Sequence, residues 1–206
     1  MPHYKLYYFN LRARGEIARQ LFALAGEPYE DIRVDFKDWP ELKPSMPFEA
    51  LPVLEVDGVQ IAQSHTIARY LARVLGFAGK NIFEQAIVDS VVDQYSDFFN
   101  IIRPFFLTLG GFIEGDWEQL LIDVVRPARD NFLAQMTKFL QDSESGFLVG
   151  ETVTCADLLL AEHVSTLKAY DPYYTRDWPE IQEHWAKIRA IPNLSTWIDE
   201  RPDTIY

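Results

Sequence analysis

The 206-residue chain is 48% hydrophobic and 24% charged, and its 19 Lys and Arg against 31 Asp and Glu leave a net charge of −12. That composition buries a core as one domain or two, and the acidity argues against nucleic acid or an anionic membrane as a partner, because phosphate binding needs a basic patch. The charge is uneven: residues 1–77 carry nine basic and ten acidic side chains, and residues 78–206 carry ten and twenty-one. A lone cysteine, Cys155, excludes an internal disulfide or a cysteine metal cluster. No apolar run approaches the roughly 18 residues of a membrane span, and Met1-Pro2-His3-Tyr4-Lys5 lacks the apolar stretch of a signal peptide. A reducing cytoplasm is the simplest setting.

In chain order, Tyr4 to Phe9 reads as an aromatic strand. Arg14 to Ala25 places Ile17, Ala18, Leu21, Phe22 and Ala25 on one helical stripe, stopped at Gly26-Glu27-Pro28. Ile32-Arg33-Val34 is a second short strand, and Pro40, Pro44 and Pro47 punctuate a loop running to Leu51. Asp57-Gly58 joins Val53–Val56 to Val59–Ala62 as a hairpin. Ser64 is expected to N-cap a helix with Ile67, Ala68, Leu71 and Leu75 inward and Gly76 as its stop. Beyond a linker near Phe77 to Ile82, helical periodicity covers residues 82–107, 117–141, 154–169 and 179–190. The expectation is an α/β first domain over 1–77 and an all-helical second domain over 82–206.

Several residues admit both a structural and a chemical reading. Leu51-Pro52 opens a strand, where proline is ordinary; a cis bond there would turn the Leu51 backbone outward to pair with an extended peptide. Gln63-Ser64 is a plain helix start or a carboxylate site at the positive end of a helix. Arg14 is a solvated arginine or a cation facing an anion near Tyr8. Trp39 and Lys43 pack and solvate, or together donate to a carboxylate if their loop holds a helical turn. Asp89, Asp93 and Asp97 form an acidic stripe that is solvated or neutralised by a cation, an ammonium group or a second chain. Thr154-x-x-Asp157 has capping-box spacing, and Cys155 in that turn reads as buried and inert. None of the four histidines lies at metal-ligand spacing, so no metal site is assigned.

The order of these signals resembles the cytosolic glutathione transferases, from Tyr4 to about Pro202. Tyr-Lys-Leu-x-Tyr-Phe-Asn at 4–10, Arg14-Gly15-Glu16, Asp38-Trp39-Pro40, Leu51 to Gly58, Gln63-Ser64 with Ile67 to Leu71, and Val153 to Asp157 are similar to the sigma class, which includes haematopoietic prostaglandin D synthase. The resemblance implies a thioredoxin-like first domain carrying the glutathione site, an all-α second domain carrying the electrophile pocket, and a cytoplasmic homodimer. It implies that Tyr8 donates a hydrogen bond to the glutathione sulfur, with Arg14 adding positive potential. Leu51-Pro52 would be a cis turn pairing with the cysteinyl part, Gln63 and Ser64 would hold the γ-glutamyl end, and Trp39 and Lys43 the glycine carboxylate. Asp97 of a second subunit would meet the γ-glutamyl ammonium. Chemistry would need no cofactor beyond glutathione and a small hydrophobic electrophile.

Phe48-Glu49-Ala50-Leu51 departs from the family pattern. Glu49 and Ala50 flank the glycine end, and the loss of one polar contact there is expected to weaken glutathione binding by about 1 kcal/mol. Phe9, Ala13, Phe99 and Phe105 are candidates for the electrophile wall. Alternatives within the resemblance are glutathione-dependent prostaglandin isomerisation and a carrier of haem or other apolar anions. The short Gly110 to Asp116 segment argues against a lens crystallin of this family, and the absence of cysteine in Leu11 to Arg14 argues against a disulfide oxidoreductase.

Overall fold

The computed structural model describes residues 2–206, which divide into two compact units, 2–78 with 189–206 and 79–188. The first unit is built on four strands, β1 (Tyr4–Phe9), β2 (Glu30–Val34), β3 (Val53–Val56) and β4 (Val59–Ala62), in the order β2-β1-β3-β4. β1 runs parallel to β2 and antiparallel to β3, and β3 is antiparallel to β4. Strand β1 alternates burial, so Tyr4, Leu6 and Tyr8 face inward. Asp57 (φ 50°) and Gly58 (φ 85°) both take the left-handed conformation that a two-residue hairpin turn needs.

The β1–β2 crossover begins with a 3-10 turn, Ala13–Gly15, and continues as α1 (Glu16–Ala25). The expected helix start at Arg14 is therefore split, with regular α geometry beginning two residues later. Helix α2 (Trp39–Leu42) supplies the helical turn in the proline loop. Helix α3 (Ser64–Leu75) buries Ile67, Ala68, Leu71 and Ala72. α1 and α3 pack against each other, burying Ile17, Leu21 and Phe22 from α1. Each such side chain contributes roughly 1.5–3 kcal/mol through lost water contact.

The final helix, α9 (Pro192–Glu200), was not foreseen in the periodicity, and it belongs to this unit rather than to the 82–206 domain expected from sequence order. Its attachment combines the buried Leu194 with polar contacts. Trp197 Nε1 (2.8 Å) and an Arg201 guanidinium nitrogen (2.6 Å) donate to the buried Glu16 carboxylate on α1, and Asn193 Nδ2 donates to the Leu24 carbonyl at 3.3 Å.

The second unit contains α4 (Ile82–Leu109), α5 (Trp117–Leu120), α6 (Arg126–Gln141), α7 (Cys155–Lys168) and α8 (Pro179–Arg189). Asn81 and Asp116 cap α4 and α5, each accepting two backbone N–H bonds at 3.0 Å. A π-turn at Leu121–Val125 joins α5 to α6 just ahead of Pro127, which has no N–H to give to a regular helical ladder.

Helix α7 is the core helix of this unit, and its capping box is present. The fully buried Asp157 carboxylate accepts from Thr154 N–H, Thr154 Oγ1 and Leu148 N–H at 2.7 Å each, and pairs with His184 Nε2 at 2.9 Å. Cys155 is buried. Among the described residues no helix is long and apolar enough to cross a membrane.

Candidate active site

Strand register gathers the candidate residues of the first unit at one end of its sheet. Tyr7 pairs with Val53, and Val53 pairs with Ala62. Tyr8 on β1, Pro52 just ahead of β3 and Gln63 just after β4 each lie one residue beyond that row. β2 runs parallel to β1 with Val34 beside Phe9, so the segment leading to Trp39 leaves from the same end. Helix α3 starts there too, at Ser64, with the positive end of its dipole. The Leu51-Pro52 bond is cis.

Tyr8 is 6% exposed, and its hydroxyl oxygen accepts a hydrogen bond from the Arg14 backbone N–H at 3.3 Å. Burial pushes the phenol above its ordinary value near 10, opposed by that N–H and by the positive charges of Arg14 and Arg19. At neutral pH the group is thus a protonated phenol. With its oxygen already accepting from Arg14, the O–H is directed to donate elsewhere. Gly15 makes room for the ring: a β-carbon there would lie 2.7 Å from Tyr8 Cγ and 3.1 Å from Tyr8 Cβ.

Beside the ring lies a charged cluster that sequence reasoning missed. Arg19, fully buried, donates from Nε to Asp31 (3.1 Å), from one terminal nitrogen to the Leu11 carbonyl (2.6 Å) and from the other to the Phe9 carbonyl (3.3 Å). It also pairs with Glu16 at 3.7 Å, and its guanidinium carbon lies 5.7 Å from the Tyr8 ring centroid. Arg33 donates to the other Asp31 oxygen at 2.9 Å and to Asn10 Oδ1 at 2.8 Å. The only sequence signal was a charged residue set between Ala18 and the buried Gln20 on a largely apolar helix.

Trp39 is half-buried, and its indole meets the Phe9 ring edge-on at 5.6 Å, while Phe9 stacks on Phe36 at 4.6 Å. Phe9, expected at the electrophile wall, thus spends much of its ring on these two neighbours. Lys43 is exposed and ion-paired with Glu49 at 3.8 Å. Glu49 (φ 49°) and Gln63 (φ 76°) both hold left-handed backbone that costs a non-glycine residue free energy. Ser64 is the first residue of α3 rather than its N-cap; Gln63 occupies the cap and makes no side-chain cap bond.

Two family models match the chain: "Glutathione S-transferase, N-terminal domain" over residues 4–73 and "Glutathione S-transferase, C-terminal domain" over 119–201. Glutathione S-transferase 1 of Ascaris suum is 46% identical over 206 residues, spanning all of both chains. The chain belongs to the glutathione S-transferase family. Among solved structures, monomeric Na-GST-3 from the hookworm Necator americanus is 52% identical with a TM-score of 0.97, covering 99% of this chain and all of its own. Rat hPGDS complexed with a quinoline is 37% identical with a TM-score of 0.88, covering 100% of both chains.

Three further candidates of this glutathione S-transferase are in its helical unit. Asp97 is exposed on α4. Phe99 is half-buried, stacking on Phe106 at 5.5 Å. Phe105 does not fit an open wall. It is fully buried, edge-on to Trp117 (6.3 Å) and Tyr170 (6.0 Å), because its helix turns that position into the unit's core. In the first unit Ala13 (φ 31°) opens the 3-10 turn that carries Arg14.

Proposed function

We propose that this transferase binds glutathione at the sheet end that carries Tyr8, Pro52 and Gln63, and that Tyr8 holds its sulfur as a thiolate. The observation carrying this reading is the 3.3 Å bond from Arg14 N–H to the Tyr8 oxygen, which leaves the phenolic O–H as a donor. A free thiol ionises near 8.5, and lowering it by about two units corresponds to roughly 2.7 kcal/mol, within reach of one charge-assisted hydrogen bond beside two arginines. The thiol proton leaves to water. The sulfur then forms a bond to an electrophilic carbon of a hydrophobic substrate as the bond to its leaving group breaks. Arg14 contributes charge from its side chain and orientation from its backbone.

The other contacts follow the sigma-class pattern of the motifs. The Leu51 backbone pairs with the cysteinyl part, Gln63 and Ser64 hold the γ-glutamyl end at the α3 N-terminus, and Trp39 and Lys43 hold the glycine carboxylate. Glu49, paired with Lys43, competes for that charge, and Ala50 offers no polar side chain. In a homodimer the exposed Asp97 of a second subunit answers the γ-glutamyl ammonium. The test is conjugation of an aryl halide by wild type and Tyr8→Phe. The variant is expected to lose most turnover while keeping its affinity for glutathione, and equal rates would remove Tyr8 from the mechanism.

A further inference from the structure

We propose that Arg19 is a positioning residue for the reaction, clamping the turn after β1 so that the Arg14 N–H meets the Tyr8 oxygen and placing a fixed positive charge beside the Tyr8 ring. The proposal rests on the assignment of Tyr8 as the thiol-activating group. An arginine with no exposure has to justify the removal of its charge from water, and here every part of the guanidinium is engaged. Nε is matched to Asp31, and the two terminal nitrogens reach the carbonyls of Phe9 and Leu11. Those two carbonyls bracket Asn10, where the chain leaves the strand that carries Tyr8 and starts toward Arg14. Holding both from one rigid fork fixes the path between the phenol and its donor. A lysine ammonium, one point charge on a flexible stem, does not reproduce that geometry.

The surrounding charges show that the fork is itself held in place. Glu16 lies 3.7 Å from Arg19 and also accepts from Arg201 and Trp197, which ties the α9 segment to the same cluster. Asp31 is shared with Arg33. The turn has a second tether in the Arg12 N–H, which donates to the Tyr206 carbonyl at 2.9 Å. The groups facing Tyr8 and Arg19 are thus Arg14, Glu16, Asp31, Arg33 and Arg201, with the Tyr29 phenol nearby; the charges nearest the Tyr8 ring are the two arginines.

The test titrates the ultraviolet band of the thiolate of bound glutathione in wild type, Arg19→Lys, Arg19→Met and Tyr8→Phe, alongside kcat and the KM for glutathione. All values are normalised to folded protein by thermal melts. Arg19→Met is expected to raise the pKa of the bound thiol by about one unit and lower kcat/KM at neutral pH about tenfold, with the glutathione KM within about twofold. Arg19→Lys, which keeps the charge but not the fork, is expected to fall about threefold, and it carries the test alone if Arg19→Met does not fold. A purely structural arginine would lower the melting temperature and leave the thiol pKa of the folded fraction unchanged. Wild-type thiol pKa and kcat in both Arg19 variants, with a raised pKa in Tyr8→Phe, would overturn the role of Arg19 alone. An unchanged pKa in Tyr8→Phe would overturn the thiol-activation reading and this proposal together.

Discussion

The Arg14 backbone N–H donates to the Tyr8 hydroxyl at 3.3 Å, six residues further along a chain that turns back on its own strand. One residue thereby serves the phenol twice, through an amide that any side chain would keep and through a charge that only the guanidinium supplies. Arg14→Met separates the two. We expect it to retain the oriented phenol and lose about tenfold in kcat/KM, less than Tyr8→Phe, with the double variant no worse than about twofold below Tyr8→Phe. Steady-state kinetics on the four proteins check this cycle.

Gly15 stands where a side chain would enter the Tyr8 ring, although its own backbone (φ −84°) suits any residue. The ring is 6% exposed and packed on its other faces, so it has little room to yield. Gly15→Ala is expected to destabilise the fold by about 1–3 kcal/mol and to move the phenol off its donor. A lowered melting temperature with a lower kcat in the surviving folded protein is the expected pair of readings. Undiminished kcat would show that Tyr8 tolerates displacement.

Gln63 combines a left-handed backbone (φ 76°) with a place at the helix start assigned to the γ-glutamyl group. Strain at such a position persists when the residue does something glycine cannot. Gln63→Gly should stabilise the protein by about 1 kcal/mol by relieving the backbone, while raising the glutathione KM about fivefold for one lost amide contact. Thermal melts and kinetics moving in opposite directions would support the assignment. A stabilised enzyme with an unchanged KM would count against it.

The ion pair between Lys43 and Glu49 is exposed on both sides, so it contributes little to stability, but it spends part of a charge assigned to the tripeptide's glycine end. Glu49→Gln is expected to lower the glutathione KM about twofold at low salt, with the difference fading as ionic strength rises. A difference that persists at high salt would point to a change in shape rather than charge.

Much of this arrangement was legible because it is local. Asp57-Gly58 specifies its turn through two left-handed residues, and Thr154 with Asp157 specifies a helix start through spacing alone. The hairpin and the alternating Tyr4, Leu6 and Tyr8 then fix a register that leaves Pro52 and Gln63 at the same end of the sheet as Tyr8. What sequence did not reveal depends on partners far along the chain. Nothing local marks Arg19 and Glu16 for burial, because charged residues are rarely buried, and it is partners such as Asp31, Trp197, Arg201 and the Phe9 and Leu11 carbonyls that make their burial tolerable. Helix α9 is short, and its docking is decided by that same carboxylate. Phe105 became a wall candidate through the family resemblance, but which way a helical aromatic points is set by the Trp117 and Tyr170 it meets.

The helical unit carries its own titrating group. His163 is 3% exposed among Tyr95, Phe98 and Phe132, its Nε2 lies 2.7 Å from the Tyr174 hydroxyl, and its Nδ1 has no partner among the described residues. Burial lowers its pKa to about 3 from 6.5. Between those values the unfolded chain binds a proton that the folded chain refuses, so stability falls as pH drops through that window and is fully present above it. The limiting slope is about 1.4 kcal/mol per pH unit. Replacing both partners, His163→Phe with Tyr174→Phe, removes the titration without leaving an orphaned hydroxyl, so the double variant should lose less stability than wild type between pH 6.5 and 4. Urea melts at several pH values measure the difference, and parallel curves for the two proteins would mean that the imidazole takes up its proton without unfolding the unit.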